Sequence, residues 1–188
     1  MLLSQDEARL PMVPTLSRTL GVKGHRPEVG TRDNKDLLYV FAVLCLTTAA
    51  VHATTRERPA RKKAGRPSKT RQMQEAFAAH LRHVGRVYPR PRYKRVVLVI
   101  DNAPWHRGDV VRAALAENPH LEFYRLPSYS PMLNPIERFW RKLRRRATHN
   151  RLFDTLADLK ASVRNSLRYF QTVRSRVRSL LEPRPKAR

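Results

Sequence analysis

The chain is short of three things, and each shortage excludes something. It has one cysteine in 188 residues. Cys45 therefore has no intramolecular disulfide partner, and a reducing compartment is expected. It is short of acids: 15 Asp and Glu stand against 39 Lys and Arg, a net charge of +24. It also lacks a long apolar run. The longest, Leu37 to Leu46, is ten residues, and Thr47, Thr48, His52, Thr54 and Thr55 break up the rest of the uncharged stretch. A membrane-spanning helix wants about 20 predominantly apolar residues. Two strands are expected instead, Leu37–Leu46 and Ala50–Thr55, around a bend at Thr47–Ala49. The first ten residues already hold Asp6, Glu7 and Arg9, which is not the pattern of a secretory signal.

What is present is a core and a large positive charge. Hydrophobic residues are 41% of the chain, too many for a wholly disordered polycation. The length suits one domain with a short tail, large enough to bury its own core. The charge is unevenly placed. Residues 1–55 carry a net +1, 56–95 a net +12, 96–137 a net −2 and 138–188 a net +13. Two near-neutral blocks alternate with two basic ones, as expected of a core with surfaces for a polyanion. Nucleic acid fits, because neutralising phosphates releases counterions. Arg outnumbers Lys, and Arg grips phosphate in a bidentate fork.

Met1–Asp6 reads as a strand. Residues 9–35 are punctuated by Pro11, Pro14, Gly21, Gly24, Pro27 and Gly30 and read as loop, with a short strand near Leu16–Val22. Residues 56–68 read as a basic linker. Met73, Phe77, Leu81 and Val84 then mark one face of a helix over residues 69–86. Val96 to Ile100 is an uninterrupted apolar run, as in a strand buried on both faces. A helix over about Gly108–Glu117 and a strand at Leu121–Leu126 complete a parallel βαβ unit. Residues 127–134 form a loop. A helix starts at Pro135, with Ile136, Trp140, Leu143 and Ala147 on its buried face. One more spans Leu152–Leu181.

Three acids stand out, each with an ordinary reading beside it. Asp101 lies at the carboxyl end of a central parallel strand, where sites form in open α/β sheets. Asp-Asn after a strand is also common turn chemistry. Glu137 falls three residues after Asn134, so it fits the acid of a capping box with Asn134 as N-cap and Pro135 at the first helical position. Asp6 ends the first strand, where an exposed boundary would explain it. Together they are more specific. Three carboxylates in one place repel unless cations sit among them, and Mg2+ works with a few carboxylates plus substrate phosphate. Two ions can serve both the attacking and the leaving oxygen of a phosphoryl displacement.

The runs VLVIDNAPWH (residues 97–106) and LPSYSPMLNPIERFW (residues 126–140) closely resemble the catalytic domain of DDE transposases of the mariner-like bacterial insertion-sequence type, the DDE superfamily endonucleases. The matching features are Asp101-Asn102 with His106, the segment from Ser130 to Glu137, and the spacing between the two acids. Asp6-Glu7 and Lys23-Gly24-His25-Arg26-Pro27 resemble the family's first acidic pair and the segment after it. Thr19 to Val22 lacks the Trp often found there.

The resemblance implies an α/β fold, a ribonuclease-H-like mixed sheet of antiparallel hairpin strands plus a parallel βαβ, with helices on both faces. It implies a catalytic domain over residues 1–150 and a basic C-terminal helix and tail over 151–188. It implies Asp6, Asp101 and Glu137 as catalytic residues and ligands of Mg2+ or Mn2+, two ions in all. The activity implied is cut-and-paste transposition, by metal-dependent DNA strand cleavage and strand transfer. The partners implied are double-stranded DNA at transposon ends and target, a second copy of the chain, and a DNA-binding domain from an upstream frame. The location implied is the bacterial cytoplasm at the nucleoid, with no membrane. Relatives carry helix-turn-helix domains upstream; five residues precede Asp6 here, so those domains are expected to be absent. The alternative is an inactive, truncated remnant that only binds DNA; a structural RNA-binding protein is a third reading, with no need for these acids. KKAGRPSK (residues 62–69) is similar to a minor-groove Gly-Arg-Pro hook, although backbone contact by a basic arm is the stronger expectation. DNA contacts are expected from Arg61, Lys62, Lys63, Arg66, Lys69, His106, Arg141, Arg144 and Arg145. His106 has a plainer alternative, as a cap of the following helix.

Overall fold

The computed structural model describes residues 1–25, 27–59, 67–128 and 130–182. Its centre is a five-stranded sheet. The strands are β1 (Leu2–Pro11), β2 (Leu37–Cys45), β3 (Val51–Glu57), β4 (Val96–Ile100) and β5 (Leu121–Arg125). Their order is β3-β2-β1-β4-β5. The β1–β2 and β2–β3 pairs are antiparallel, and the β1–β4 and β4–β5 pairs parallel. Helices cover both faces, so the mixed sheet expected from the sequence is the one observed.

Every residue of β2 is buried. Alternation explains this, because successive side chains point to opposite faces. Tyr39, Phe41 and Val43 enter one core with Met73, Phe77, Leu81 and Val84 of helix α1 (Lys69–Val87). Leu38, Val40 and Leu44 enter the other, with Phe139, Trp140 and Leu143 of α3 (Ile136–Ala147) and Leu159, Val163 and Phe170 of α4 (Leu156–Thr172). The apolar run is thus a two-sided strand. Among the described residues no helix is long and apolar enough to cross a membrane.

The sequence reading needs three corrections. β1 runs five residues past Asp6, because β2 offers it a partner as far as Leu37. No strand forms at Leu16–Val22. Both edges of β1 are already paired, and Leu16, Leu20 and Val22 project into solvent; only Thr15 makes an isolated bridge, to His149. The final helix is two, α4 and α5 (Arg174–Leu181), with the break at Val173. Helix α2 (Asp109–Glu117) crosses from β4 to β5 and packs on α1 at Gly85, where any side chain would meet Asn118.

Candidate active site

Register places the first two acids. Ser4 stands opposite Val99 in the parallel β1–β4 pair. Past the end of that pairing, Asp6 and Asp101 emerge at the same end of the two strands, and both line one cleft. Period-two alternation then separates Asp6 from Glu7. Asp6 faces α3, where it accepts a hydrogen bond from Trp140 Nε1 at 2.8 Å. Glu7 faces the α1 side, where its carboxylate accepts from Trp105 Nε1 at 3.1 Å and Gln5 Nε2 at 2.8 Å.

Glu137 is placed by its loop. The expected capping box with Asn134 does not form. Instead Ser4 of β1 caps α3: its hydroxyl accepts from the Ile136 amide at 3.1 Å and donates to Asn134 Oδ1. Asn134 Nδ2 in turn donates to the Gln5 carbonyl at 3.0 Å. The Asn-Pro turn is thereby fastened to β1, and the first turn of α3 stands over Asp6. The Glu137 amide donates to the Asn134 carbonyl at 3.1 Å, while its carboxylate has no hydrogen-bond or ion-pair partner among the described residues and is open to the cleft.

Asp6, Asp101 and Glu137 line one cleft of about 370 Å3, together with Asn102, Ser128, Ser130 and Asn134. Asn102 Nδ2 donates to the Leu126 carbonyl at 2.8 Å and ties the exits of β4 and β5 together beneath it. The electrostatics of the acids differ. Burial pushes the Asp6 carboxyl up to about 7, and the charges of Glu7 and Glu137 add to the rise. Asp101 is held below its ordinary value, chiefly by a hydrogen bond from His106. Burial alone would lower His106, but Glu7 and Asp101 on its two sides outweigh it and lift it to about 10.

His106, expected among the DNA contacts, is buried rather than displayed on the surface. Its side chain is 0% exposed, with Nε2 at 2.9 Å from Glu7 and Nδ1 at 3.0 Å from Asp101 Oδ1. A buried imidazole cannot reach a phosphate on the surface. Nor does it cap α2, whose N-cap is Gly108. Sequence reasoning missed the partner, Glu7. The signal was there: in a strand only one residue of an Asp-Glu doublet can face a given side.

The donor set suits a hard divalent cation, although among the described residues no three His, Cys, Asp or Glu side chains are grouped closely enough to hold one by themselves. Mg2+ does not need a complete protein cage, since it keeps several waters and takes one or two carboxylates plus phosphate oxygens. The raised Asp6 carboxyl is the supporting observation. It is a half-buried acid among acids, and a cation would relieve it.

The remaining expected contacts fall in three places. Arg61, Lys62, Lys63 and Arg66 lie outside the described residues. Lys69 opens α1 and lines a groove with Arg9, Lys35 and Arg58. Arg141 and Arg145 line a groove of about 340 Å3 between α3 and α5, with Arg138 and Lys142. Arg144 is half-buried beside it. The two helical layers differ in how their charge is used. On the α1–α2 side Arg71 pairs with Glu75 and Asp109, Arg82 with Glu117, and Arg95 with Glu122. Among the described residues Arg138, Arg141, Lys142, Arg144, Arg145, Arg146 and Arg176 form no ion pair.

Residues 1–160 match the family model of the DDE superfamily endonucleases. The chain belongs to that family. A relative from Shigella sonnei, the insertion element IS630 uncharacterized 39 kDa protein, is 25% identical over 161 residues, covering 86% of this chain and 43% of its own length. The fold is similar to a crystal structure of the Mos1 mariner paired end complex with Mn, with a TM-score of 0.60 and 19% identity over 96% of this chain and 53% of that one. The corresponding complex with Mg gives a TM-score of 0.58 at 18% identity, covering 96% of this chain and 53% of that one. The chain therefore spans about half the length of these three relatives.

Proposed function

We propose that the chain is the catalytic domain of a cut-and-paste DNA transposase of the mariner-like insertion-sequence type. It cleaves and joins DNA strands with Mg2+ or Mn2+, two ions in all, held by Asp6, Asp101 and Glu137. One observation carries the reading: acids from β1, the end of β4 and the first turn of α3 line one cleft, and Asp6 is held up at about 7 by burial and its acidic neighbours. Bound divalent ions supply Lewis-acid stabilisation of charge at a phosphoryl centre. The chain supplies the rest. Asp101 presents a carboxylate oriented from behind by His106. Glu137 joins the cleft lining from the first turn of a helix capped by Ser4. Ser128 and Ser130 bring hydroxyls to the cleft rim. The unpaired arginines of α3 and α5 hold the phosphate backbone of duplex DNA. A second copy of the chain and a separate DNA-binding domain are proposed as partners on the family resemblance.

The test is cleavage of duplex DNA in Mg2+ and in Mn2+, with a helix-turn-helix DNA-binding domain fused or added in trans. Cutting is expected in both metals and is expected to be lost in Asp101→Asn and Glu137→Gln, which keep the side-chain size and drop the charge. A Glu137→Gln protein that cuts as fast as the parent would overturn the assignment. A supplemented protein that folds and binds DNA but never cuts would leave only the DNA-binding remnant.

A further inference from the structure

The sequence IDNAPWH, residues 100–106, does more than deliver Asp101 to the cleft. The chain leaves β4 and coils through a short 3-10 turn, Pro104–His106. That turn carries Trp105 and His106 back toward the sheet, and both face Glu7. His106 Nε2 lies 2.9 Å from Glu7 Oε1, and Nδ1 lies 3.0 Å from Asp101 Oδ1. Nδ1 also stands 3.3 Å from the Asp101 backbone carbonyl, so this ring edge faces both the main chain and the carboxylate of Asp101. Phe77 covers the ring, with centroids 4.4 Å apart, and Arg125 donates to the His106 carbonyl at 3.1 Å. The imidazole is thus fixed in place and in orientation. Asp101 Oδ1 also accepts from the Ala103 amide at 2.9 Å. Oδ1 is thus held between the Ala103 amide and the imidazole edge, while Oδ2 has no hydrogen-bond partner among the described residues.

We propose that Glu7 and His106 are a positioning pair for Asp101, locking one carboxylate oxygen from behind so that the other is presented to a divalent cation in the cleft. Glu7 orients the imidazole, and the imidazole orients Asp101. This carboxylate–histidine–carboxylate chain runs from the α1 side of the sheet to the cleft. It gives the Asp6-Glu7 doublet a division of labour, with Asp6 in the cleft and Glu7 behind it. The proposal rests on the metal-centre reading of the cleft. Groups that orient metal ligands from outside typically change metal affinity by roughly 10- to 100-fold when removed.

The test reads Mn2+ binding to the full chain by electron paramagnetic resonance of the free ion, with no need for turnover. His106→Leu is expected to weaken Mn2+ binding by about tenfold or more. That change strands the Glu7 charge and risks the fold, so it is paired with a Glu7→Gln, His106→Leu double variant, which is expected to show the same loss. His106→Asn, whose amide nitrogen stands near the place of Nδ1, is expected to recover most of the affinity. In an Asp101→Asn background His106→Leu is expected to add nothing further, because the pair acts through Asp101. Full Mn2+ affinity in a folded His106→Leu or double variant, with Asp101→Asn still impaired, would overturn the positioning role and leave the metal centre standing. So would a loss that simply adds to that of Asp101→Asn. An Asp101→Asn protein that binds Mn2+ as tightly as the parent would overturn the metal centre, and the positioning role with it.

Discussion

Histidines in this chain are set by their surroundings rather than by their type. Carboxylates on both sides of His106 raise its proton affinity against the effect of burial. His80 of α1 is equally buried and has no acid near it. Its Nδ1 meets Thr54 Oγ1 of β3 at 2.9 Å, and Nε2 has no partner among the described residues. Phe41 of β2, His52 of β3 and His83 of α1 complete its surroundings. Burial, with the charges of His83 and His52, pushes His80 down to about 3 from its ordinary 6.5. The folded protein therefore holds His80 neutral, while the unfolded chain takes up a proton near 6.5. Stability is full above that pH and falls below it, by about 1.4 kcal/mol for each pH unit while only the unfolded state is protonated. A urea midpoint that drops on going from about pH 7 to about pH 5, with a shallower drop in His80→Asn, is the expected result. An equal drop in both proteins would remove His80 as the cause.

At the scale of elements, the joint that matters is β1 against α3. Two of the three acids sit on these elements, and Ser4 links them. The Ser4 hydroxyl closes the end of α3 and anchors Asn134, all in a buried setting. Ser4→Ala removes the cap and leaves a buried amide without its acceptor. The expected cost is about 1–2 kcal/mol, read as a lowered urea midpoint. Faster hydrogen exchange is expected at the Ile136 amide, while amides of β2 keep the protection of the parent. Exchange that rises equally everywhere would mean that Ser4 only supports global stability. The fastening has a functional side, since it sets where Glu137 stands relative to Asp6.

Over the whole molecule, net charge is a poor guide to where DNA lies. The block over residues 56–95 carries +12, yet Arg71, Arg82 and Arg95 within it are paired with acids. Around α3 to α5, Asp158 completes a capping box with Thr155 and Asp154 pairs with Arg32, while Glu182 lines the arginine groove itself without an ion pair among the described residues. Guanidinium groups without an ion pair among the described residues line the α3–α5 face, with Arg138 donating to the Leu180 carbonyl and Arg146 stacked on Tyr169. Each phosphate contact contributes about −0.9 to the slope of log affinity against log salt. Arg141→Gln with Arg145→Gln is expected to weaken duplex binding and to flatten that slope by about one to two. Arg82→Gln with Arg95→Gln is expected to leave both nearly unchanged. Fluorescence anisotropy across a salt series checks this; equal losses from the two double variants would show that the α3–α5 face has no special part.

Much of this was legible in the sequence. The apolar face of α1, the two-sided run at β2 and the βαβ unit come from periodicity, because burial dictates which positions must be apolar. The motifs singled out Asp101 and Glu137, and the doublet Asp6, and all three line one cleft. The last helical stretch was misread because Leu156 to Val177 keeps one apolar rhythm through the break at Val173, and rhythm does not show where a helix ends. The cap of α3 was misread because Ser4 lies far away in sequence, and local patterns carry no information on distant donors. Alternation could have separated Asp6 from Glu7. Only tertiary packing could bring Glu7, His106 and Asp101 into line, since Glu7 and His106 stand 99 positions apart in the chain. The same holds for charge: composition determined how much there was, and only the folded arrangement shows which arginines have acids beside them.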